Sequence, residues 1–66
     1  MEVTINHQPA TLNDGTTLAQ LAEARNIGTK GVAIAVNGAI VHAADWEKTT
    51  ISPQDDIIII KAFCGG

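Results

Sequence analysis

Polar and apolar residues alternate at the start of the chain, where Val3 and Ile5 stand between polar neighbours. A repeat of two residues is typical of a strand with one buried face. Residues 6–9 then include the asparagine and proline that favour turns, and residues 10–12 resume the apolar pattern. The opening segment therefore predicts a β-hairpin.

The apolar spacing becomes helical after this hairpin. Thr17 and Gln20 form a capping box, in which each side chain satisfies a backbone N–H at the start of a helix. We predict the helix over residues 18–26, and we expect Gly28 and Gly31 to end it because glycine adopts left-handed backbone angles without strain. The apolar face of this helix consists of Leu18, Leu21 and Ala22.

A second hairpin is predicted in the middle of the chain. Residues 32–36 alternate β-branched residues with alanines, and Asn37-Gly38 is a preferred pair for a tight turn into residues 39–42. A polar connection follows around Trp46. We expect this side chain to anchor its segment, which includes a short helical turn, to the core.

Four consecutive isoleucines, residues 57–60, form the last predicted strand. Successive side chains of a strand point to opposite faces, so this strand carries apolar groups on both. The single helix can cover only one of them. If Ile57 and Ile59 face the helix, Ile58 and Ile60 lie on the open face, where apolar surface marks a site for a partner.

The order strand, strand, helix, strand, strand, strand predicts an α+β protein with the β-grasp (ubiquitin-like) fold. In this fold a mixed sheet of four to five strands has one helix packed across one face. Because the first and last strands are both strongly apolar, we place them side by side in the middle of the sheet. The predicted domain covers residues 1–62, and residues 63–66 form a flexible C-terminal tail ending in Gly-Gly.

Composition narrows the possible functions. A chain of 66 residues with 45% hydrophobic residues can form one small core, without room for a large internal cavity. A net charge of −3 repels phosphate backbones, so we expect no binding to nucleic acid. The longest apolar run is too short to span a bilayer, and one cysteine cannot form an internal disulfide, so we expect a cytoplasmic protein without a membrane site.

No pattern in the chain indicates catalysis or metal binding by the chain itself. His7 and His42 lie far apart in the sequence, without cysteines or paired carboxylates at ligand spacing. Asp55 and Asp56 are typical of the turn that precedes a strand. We therefore expect no catalytic residue, no metal site and no bound cofactor.

The terminal Gly65-Gly66 pair is the main candidate for chemistry. A carboxylate is a poor electrophile and must be activated, for instance as an acyl phosphate, so an enzyme that uses ATP is required. Glycines allow a tail to pass through a narrow channel to a buried nucleotide. An activated acyl group can then be captured by a sulfur nucleophile to give a thiocarboxylate, although a terminal Gly-Gly pair alone is a weak signal.

The rest of the chain strengthens this hypothesis. The informative segments are residues 3–6, residues 36–41, Trp46, residues 55–57 and the terminal Gly65-Gly66. With these segments the whole chain resembles the bacterial ThiS family, the β-grasp sulfur carriers of thiamin thiazole biosynthesis. The resemblance implies that a ThiF-like enzyme uses ATP to adenylate the carboxylate of Gly66. A sulfur donor protein then supplies the sulfur of a thiocarboxylate, which passes to the thiazole synthase ThiG.

The resemblance also implies two sets of contact residues. The tail that enters the active sites of partner enzymes consists of Phe63, Cys64, Gly65 and Gly66. Ile58 and Ile60 would dock the open sheet face on the activating enzyme. In this interpretation the protein is a carrier and co-substrate rather than an enzyme.

Three alternatives remain open at this point. A MoaD-like carrier for molybdopterin uses the same tail chemistry with a different acceptor, although length and residues 37–41 favour the thiamin carrier. A ubiquitin-like modifier would form isopeptide bonds with lysines of target proteins. A plain β-grasp interaction module would bind through its sheet and have an inert tail.

Overall fold

The computed structural model of the protein describes residues 1–28 and 31–61. Within these residues the strands are β1 (Glu2–Ile5), β2 (Gln8–Thr11), β3 (Val32–Val36), β4 (Ala39–Val41) and β5 (Asp56–Lys61). The helix α1 covers Leu18–Ala24, and a 3₁₀ helix covers Ala43–Lys48. The predicted element order is therefore confirmed, with the short helical turn around Trp46 included.

The strands form one sheet in the order β2-β1-β5-β3-β4. β1 and β5 are parallel, and the other neighbouring pairs are antiparallel. The first and last strands thus lie side by side in the interior of the sheet, as predicted. This mixed sheet with one helix across it is the β-grasp fold.

Both hairpins turn through two residues with positive φ, which is the geometry of a type I′ turn. In the second hairpin these residues are Asn37 at 52° and Gly38 at 86°. In the first hairpin they are Asn6 at 51° and His7 at 68°. The first turn is therefore tighter than the sequence indicated, and β2 already begins at Gln8.

The helix begins as predicted and ends earlier. The capping box is complete, since the Gln20 N–H donates to the Thr17 side chain at 3.2 Å and the Thr17 N–H to the Gln20 side chain at 3.0 Å. At the other end Asn26 takes the left-handed conformation, with φ of 55°. The Ile27 N–H then donates to the Ala22 carbonyl at 2.8 Å, which closes the helix with a Schellman motif.

The expectation that Gly28 and Gly31 end the helix is therefore wrong. Asparagine is the second most common residue at a left-handed helix end because its short polar side chain tolerates positive φ. The helix uses Asn26 for this purpose, before either glycine is reached.

The core lies between α1 and one face of the sheet. Leu18, Ile34 and Ile57 are its fully buried large side chains. The 3₁₀ helix closes one side of it through Trp46, which is 2% exposed and whose indole N–H donates to the Val41 carbonyl at 2.9 Å. This side chain is the anchor that the sequence predicted.

Candidate functional site

The four isoleucines of β5 divide between the two faces of the sheet. Ile57 is completely buried, and Ile59 packs against the same core beneath α1. Ile58 is half-buried, and Ile60 is 45% exposed on the opposite, open face. The predicted assignment of faces is confirmed, while the docking role of Ile58 and Ile60 remains a prediction.

Strand register extends this apolar surface beyond β5. Ala33 of β3 lies opposite Ile60, and Ala35 lies opposite Ile58. On its other side Ala35 lies opposite Ile40 of β4, which is 53% exposed. We define the open-face patch by Ala33, Ala35, Ile40, Ile58 and Ile60.

Small residues shape the middle of this patch. Ala35 is only 8% exposed although it faces away from α1, because the larger side chains of Ile40 and Ile58 flank it on both sides. The alanines therefore form a shallow depression in the middle of the patch, and the isoleucines of the neighbouring strands rise beside them. A continuous apolar surface of this kind is typical of an interface with another protein.

Ile40 was not among the predicted docking residues. The signal was present in the Asn37-Gly38 turn, because a two-residue turn fixes the pairing of the strands that it joins. That turn pairs Val36 with Ala39, so the next pair joins Ala35 with Ile40 on the face away from the core. The pairing of Ala35 with Ile58 of β5 joins segments that are distant in sequence, and local patterns do not determine its register.

Carboxylates border the patch where β5 begins. Asp56 is exposed, and its side chain accepts a hydrogen bond from the Thr4 hydroxyl at 3.1 Å. Glu2 is exposed on the same face, further along β1. The open face therefore combines an apolar part with an acidic border, and it favours a partner surface that is apolar with basic residues at its margin.

The predicted C-terminal tail follows the central strand in the sequence. Lys61, opposite Val32, is the last described residue of β5. The predicted tail residues Phe63, Cys64, Gly65 and Gly66 lie outside the described residues. The boundary between domain and tail therefore remains a prediction. β5, the strand that precedes the predicted tail, supplies Ile58 and Ile60 to the open-face patch.

The described part of the chain contains no buried polar or charged side chain. It contains no group of three or more His, Cys, Asp or Glu side chains that could hold a metal ion, and both histidines are exposed. A depression of about 700 Å³ between the end of β2 and α1 is open to solvent. Within residues 1–28 and 31–61, no helix is long and apolar enough to cross a bilayer.

These features define a β-grasp protein whose described surface carries an exposed apolar patch that includes part of β5, the last described strand. The model of the ThiS family matches residues 3–66, and the chain belongs to this family. The match includes the predicted tail with Gly65-Gly66.

Solved structures share the fold of this chain. The crystal structure of the thiamine biosynthesis protein ThiS from Geobacter metallireducens has a TM-score of 0.83 and 23% sequence identity, covering 100% of this chain and 99% of that one. The solution structure of a thiamine biosynthesis protein from the same organism has a TM-score of 0.79 and 22% identity, covering 100% and 88%. No curated protein matches the chain in sequence.

Proposed function

We propose that this protein is a sulfur carrier of thiamin biosynthesis. The observation that supports the proposal best is membership of the ThiS family over residues 3–66, a match that includes Gly65-Gly66. The open-face patch adds a physical reason, because a carrier must be held by the enzymes that act on it. In this function the chain is a co-substrate and leaves catalysis to its partners.

The chemistry takes place at the carboxylate of Gly66. An oxygen of this carboxylate attacks the α-phosphorus of ATP in a ThiF-like enzyme, which forms the acyl adenylate and releases pyrophosphate. Sulfide-level sulfur from a sulfur donor protein then displaces AMP and leaves a thiocarboxylate. The thiazole synthase ThiG transfers the sulfur to its substrate, where a new C–S bond forms. The acyl carbon of Gly66 receives an oxygen from that substrate or from water in exchange, and the regenerated carboxylate can enter another cycle.

The chain contributes docking and presentation to this sequence of steps. Ile58 and Ile60, together with Ile40, dock the open face on the activating enzyme. The tail, Phe63 to Gly66, enters the active site, where the two glycines allow close approach of the backbone. The chain binds no cofactor in this scheme, since the activating enzyme supplies the ATP site.

The domain organisation and location follow from the same proposal. Residues 1–62 form the folded domain, and residues 63–66 form a flexible tail, because a packed tail could not enter an active site. We place the protein in the cytoplasm. Neither adenylation nor sulfur transfer at Gly66 requires Cys64.

Mass spectrometry of the intact protein tests the proposal. After incubation with a ThiF-like enzyme, ATP and a sulfur donor, the mass should rise by one exchange of oxygen for sulfur, localised to Gly66. A chain without Gly66 should fold normally and stay unmodified. An unchanged mass with an enzyme that adenylates another carrier of the family contradicts the proposal.

The acceptor separates this function from its nearest alternatives. Addition of ThiG with its substrates should return the carrier to its original mass. Sulfur transfer only to a molybdopterin precursor would indicate the MoaD-like function, and isopeptide bonds to lysines would indicate a modifier.

A further inference from the structure

The two strands beside β5 pair with it over different lengths. On one side β3 accompanies it to the pair of Val32 with Lys61. On the other side the pairing with β1 ends at Ile5 and Ile57, because the chain turns away from β5 at Asn6. The last part of β5 therefore has a strand beside it on one side only, within the described residues.

Asn6 forms the last contact on the incomplete side. Its backbone N–H donates to the Ile57 carbonyl at 2.9 Å, as the next rung of a parallel ladder requires. The Ile59 N–H then donates to the Asn6 side-chain oxygen at 2.8 Å. With φ of 51°, the backbone of Asn6 leaves the strand, and the side chain takes the place of the backbone carbonyl as acceptor.

Beyond this rung, backbone groups of β5 face a vacant edge. The Asn37 N–H bonds the Asp56 carbonyl at 2.8 Å, so alternate residues starting at Asp56 direct their backbone groups at β3. The residues between them direct theirs at the β1 side. The Ile59 carbonyl and the Lys61 N–H thus point to the edge that β1 has left, where no described strand lies.

An acceptor and a donor two residues apart are the groups that an added strand requires.

The outer edges of the sheet are less suitable for an added strand. At the β2 edge, Pro9 stands opposite Thr4 and has no N–H to offer. β4 is only three residues long. We call the backbone edge from Ile59 to Lys61 the tail-proximal edge.

The charge beside this edge is positive. Lys61 is exposed at the end of β5. Arg25 is exposed and lines a depression of about 310 Å³ beside the turn that ends β1, where the described lining contains no carboxylate. The carboxylates Asp55 and Asp56 lie at the opposite end of the sheet, where β5 begins.

We propose that the tail-proximal edge receives an extended, acidic segment of the enzyme that activates the tail. The segment adds to β5 as a strand, accepting from the Lys61 N–H and donating to the Ile59 carbonyl, while its carboxylates face Lys61 and Arg25. This inference rests on the proposed function and adds a second contact to the open-face patch.

Two substitutions at Lys61 separate the backbone from the side chain. Lys61→Pro removes the outward N–H. The hydrogen bonds between β5 and β3 all remain, because Val32 and Lys61 form a non-hydrogen-bonded pair of the antiparallel ladder. Lys61→Val removes the charge and keeps the N–H. The free energies of unfolding of both variants should therefore agree.

The readout is KM for the carrier in ATP–pyrophosphate exchange catalysed by the ThiF-like enzyme of the same genome. Lys61→Pro should raise KM roughly ten-fold over Lys61→Val, the effect expected for one lost hydrogen bond. Equal KM values for the two variants overturn the proposed strand addition. Lys61→Glu should have a higher KM than Lys61→Val, and a lower value overturns the acidic character of the segment.

Two further measurements cover the remaining outcomes. If Lys61→Pro does not fold, amide hydrogen exchange of the unmodified chain tests the proposal instead. The Lys61 amide should exchange at least about ten-fold more slowly in the complex with the activating enzyme than in the free chain. Unchanged exchange overturns the proposal. Sedimentation of the chain alone tests whether a second copy of the chain occupies the edge. If the chain forms a dimer that Lys61→Pro dissociates, and the KM of the variant is unaffected, the edge serves self-association and the proposal is overturned.

The proposed function and this inference fail differently. If the unmodified chain supports no pyrophosphate exchange with a competent enzyme, the carrier function fails. If exchange is normal and Lys61→Pro matches Lys61→Val, only the strand addition fails.

Discussion

Asn6 and Asn37 occupy the first position of the two hairpin turns, and each places its side-chain oxygen on a backbone N–H of the central strand. Asn37 accepts from Asp56 at 2.9 Å, where β5 begins. Asn6 accepts from Ile59 at 2.8 Å, beyond the last pair with β1. Both residues have positive φ, so one residue type both allows the turn and holds the neighbouring strand.

This arrangement predicts the effect of replacing each asparagine with glycine. Glycine keeps the positive φ, so Asn6→Gly tests the hydrogen bond to Ile59 and should lower the free energy of unfolding by about 1 kcal/mol. Asn37→Gly should cost roughly 1–2 kcal/mol, because the Asn37 amide also donates to Asp55 at 3.0 Å. Urea denaturation measures both. A cost for Asn6→Gly that exceeds that of Asn37→Gly would contradict this account.

The open-face patch predicts a separation between binding and stability. Ile40 is 53% exposed, so Ile40→Asp should change the free energy of unfolding by less than about 1 kcal/mol. Binding to the activating enzyme, measured by calorimetry, should weaken at least about ten-fold if Ile40 lies at the interface. Ile40→Thr keeps the β-branched shape without a charge and isolates the loss of apolar contact. Unchanged affinity in both variants would remove Ile40 from the docking surface.

The core-facing side of the same sheet should respond in the opposite way. Ile57→Ala leaves a cavity at a completely buried position and should cost about 2–5 kcal/mol, which endangers folding of so small a domain. Thermal unfolding followed by circular dichroism measures this. Ile60→Asp should cost less stability than Ile57→Ala, since Ile60 is 45% exposed. A similar loss of stability in both variants would place Ile60 in the core.

The helix end offers a test that involves no partner. Asn26 has φ of 55°, so Asn26→Ala should lower the free energy of unfolding by about 1 kcal/mol, because alanine is strained in that conformation. Asn26→Gly should be neutral or stabilising by a few tenths of a kcal/mol, since glycine is preferred at this position. If both variants lose the same stability, the Asn26 side chain matters through another contact.

Trp46 is the sole tryptophan of the chain and joins the 3₁₀ helix to β4. Trp46→Phe removes the donor to the Val41 carbonyl and part of the buried volume, and should cost roughly 1–3 kcal/mol. Circular dichroism is the suitable probe for this variant, because the substitution removes the indole fluorescence. An unchanged transition temperature would contradict the anchoring role.

Local patterns predicted most of the fold. The capping box of Thr17, the turn at Asn37-Gly38 and the alternating burial of the isoleucines all depend on residues close in sequence, where spacing and intrinsic preference decide the structure. The end of the helix was predicted too late in the chain. Both asparagine and glycine favour the left-handed position at a helix end, and the general preference for glycine pointed away from Asn26.

The site was less predictable because its parts meet across the sheet. Ile58 and Ile60 could be assigned to the open face from β5 alone, whereas Ile40 required the pairing of three strands. The contact between Asn6 and Ile59 joins residues 53 positions apart. Nothing in the local sequence indicates that the turn after β1 ends beside that amide, since register between distant strands is set by the packed core.

The central position of β5 also has a mechanical consequence. Its hydrogen bonds to β1 and β3 lie roughly across the strand direction, so tension applied to the residues after Lys61 acts along the strand and loads these bonds together in shear. A tail attached to the end of an outer hairpin would instead peel its strand away one bond at a time. In the proposed function, a partner enzyme that pulls on the C-terminal residues would therefore load the whole central strand and would not separate it from the sheet one hydrogen bond at a time.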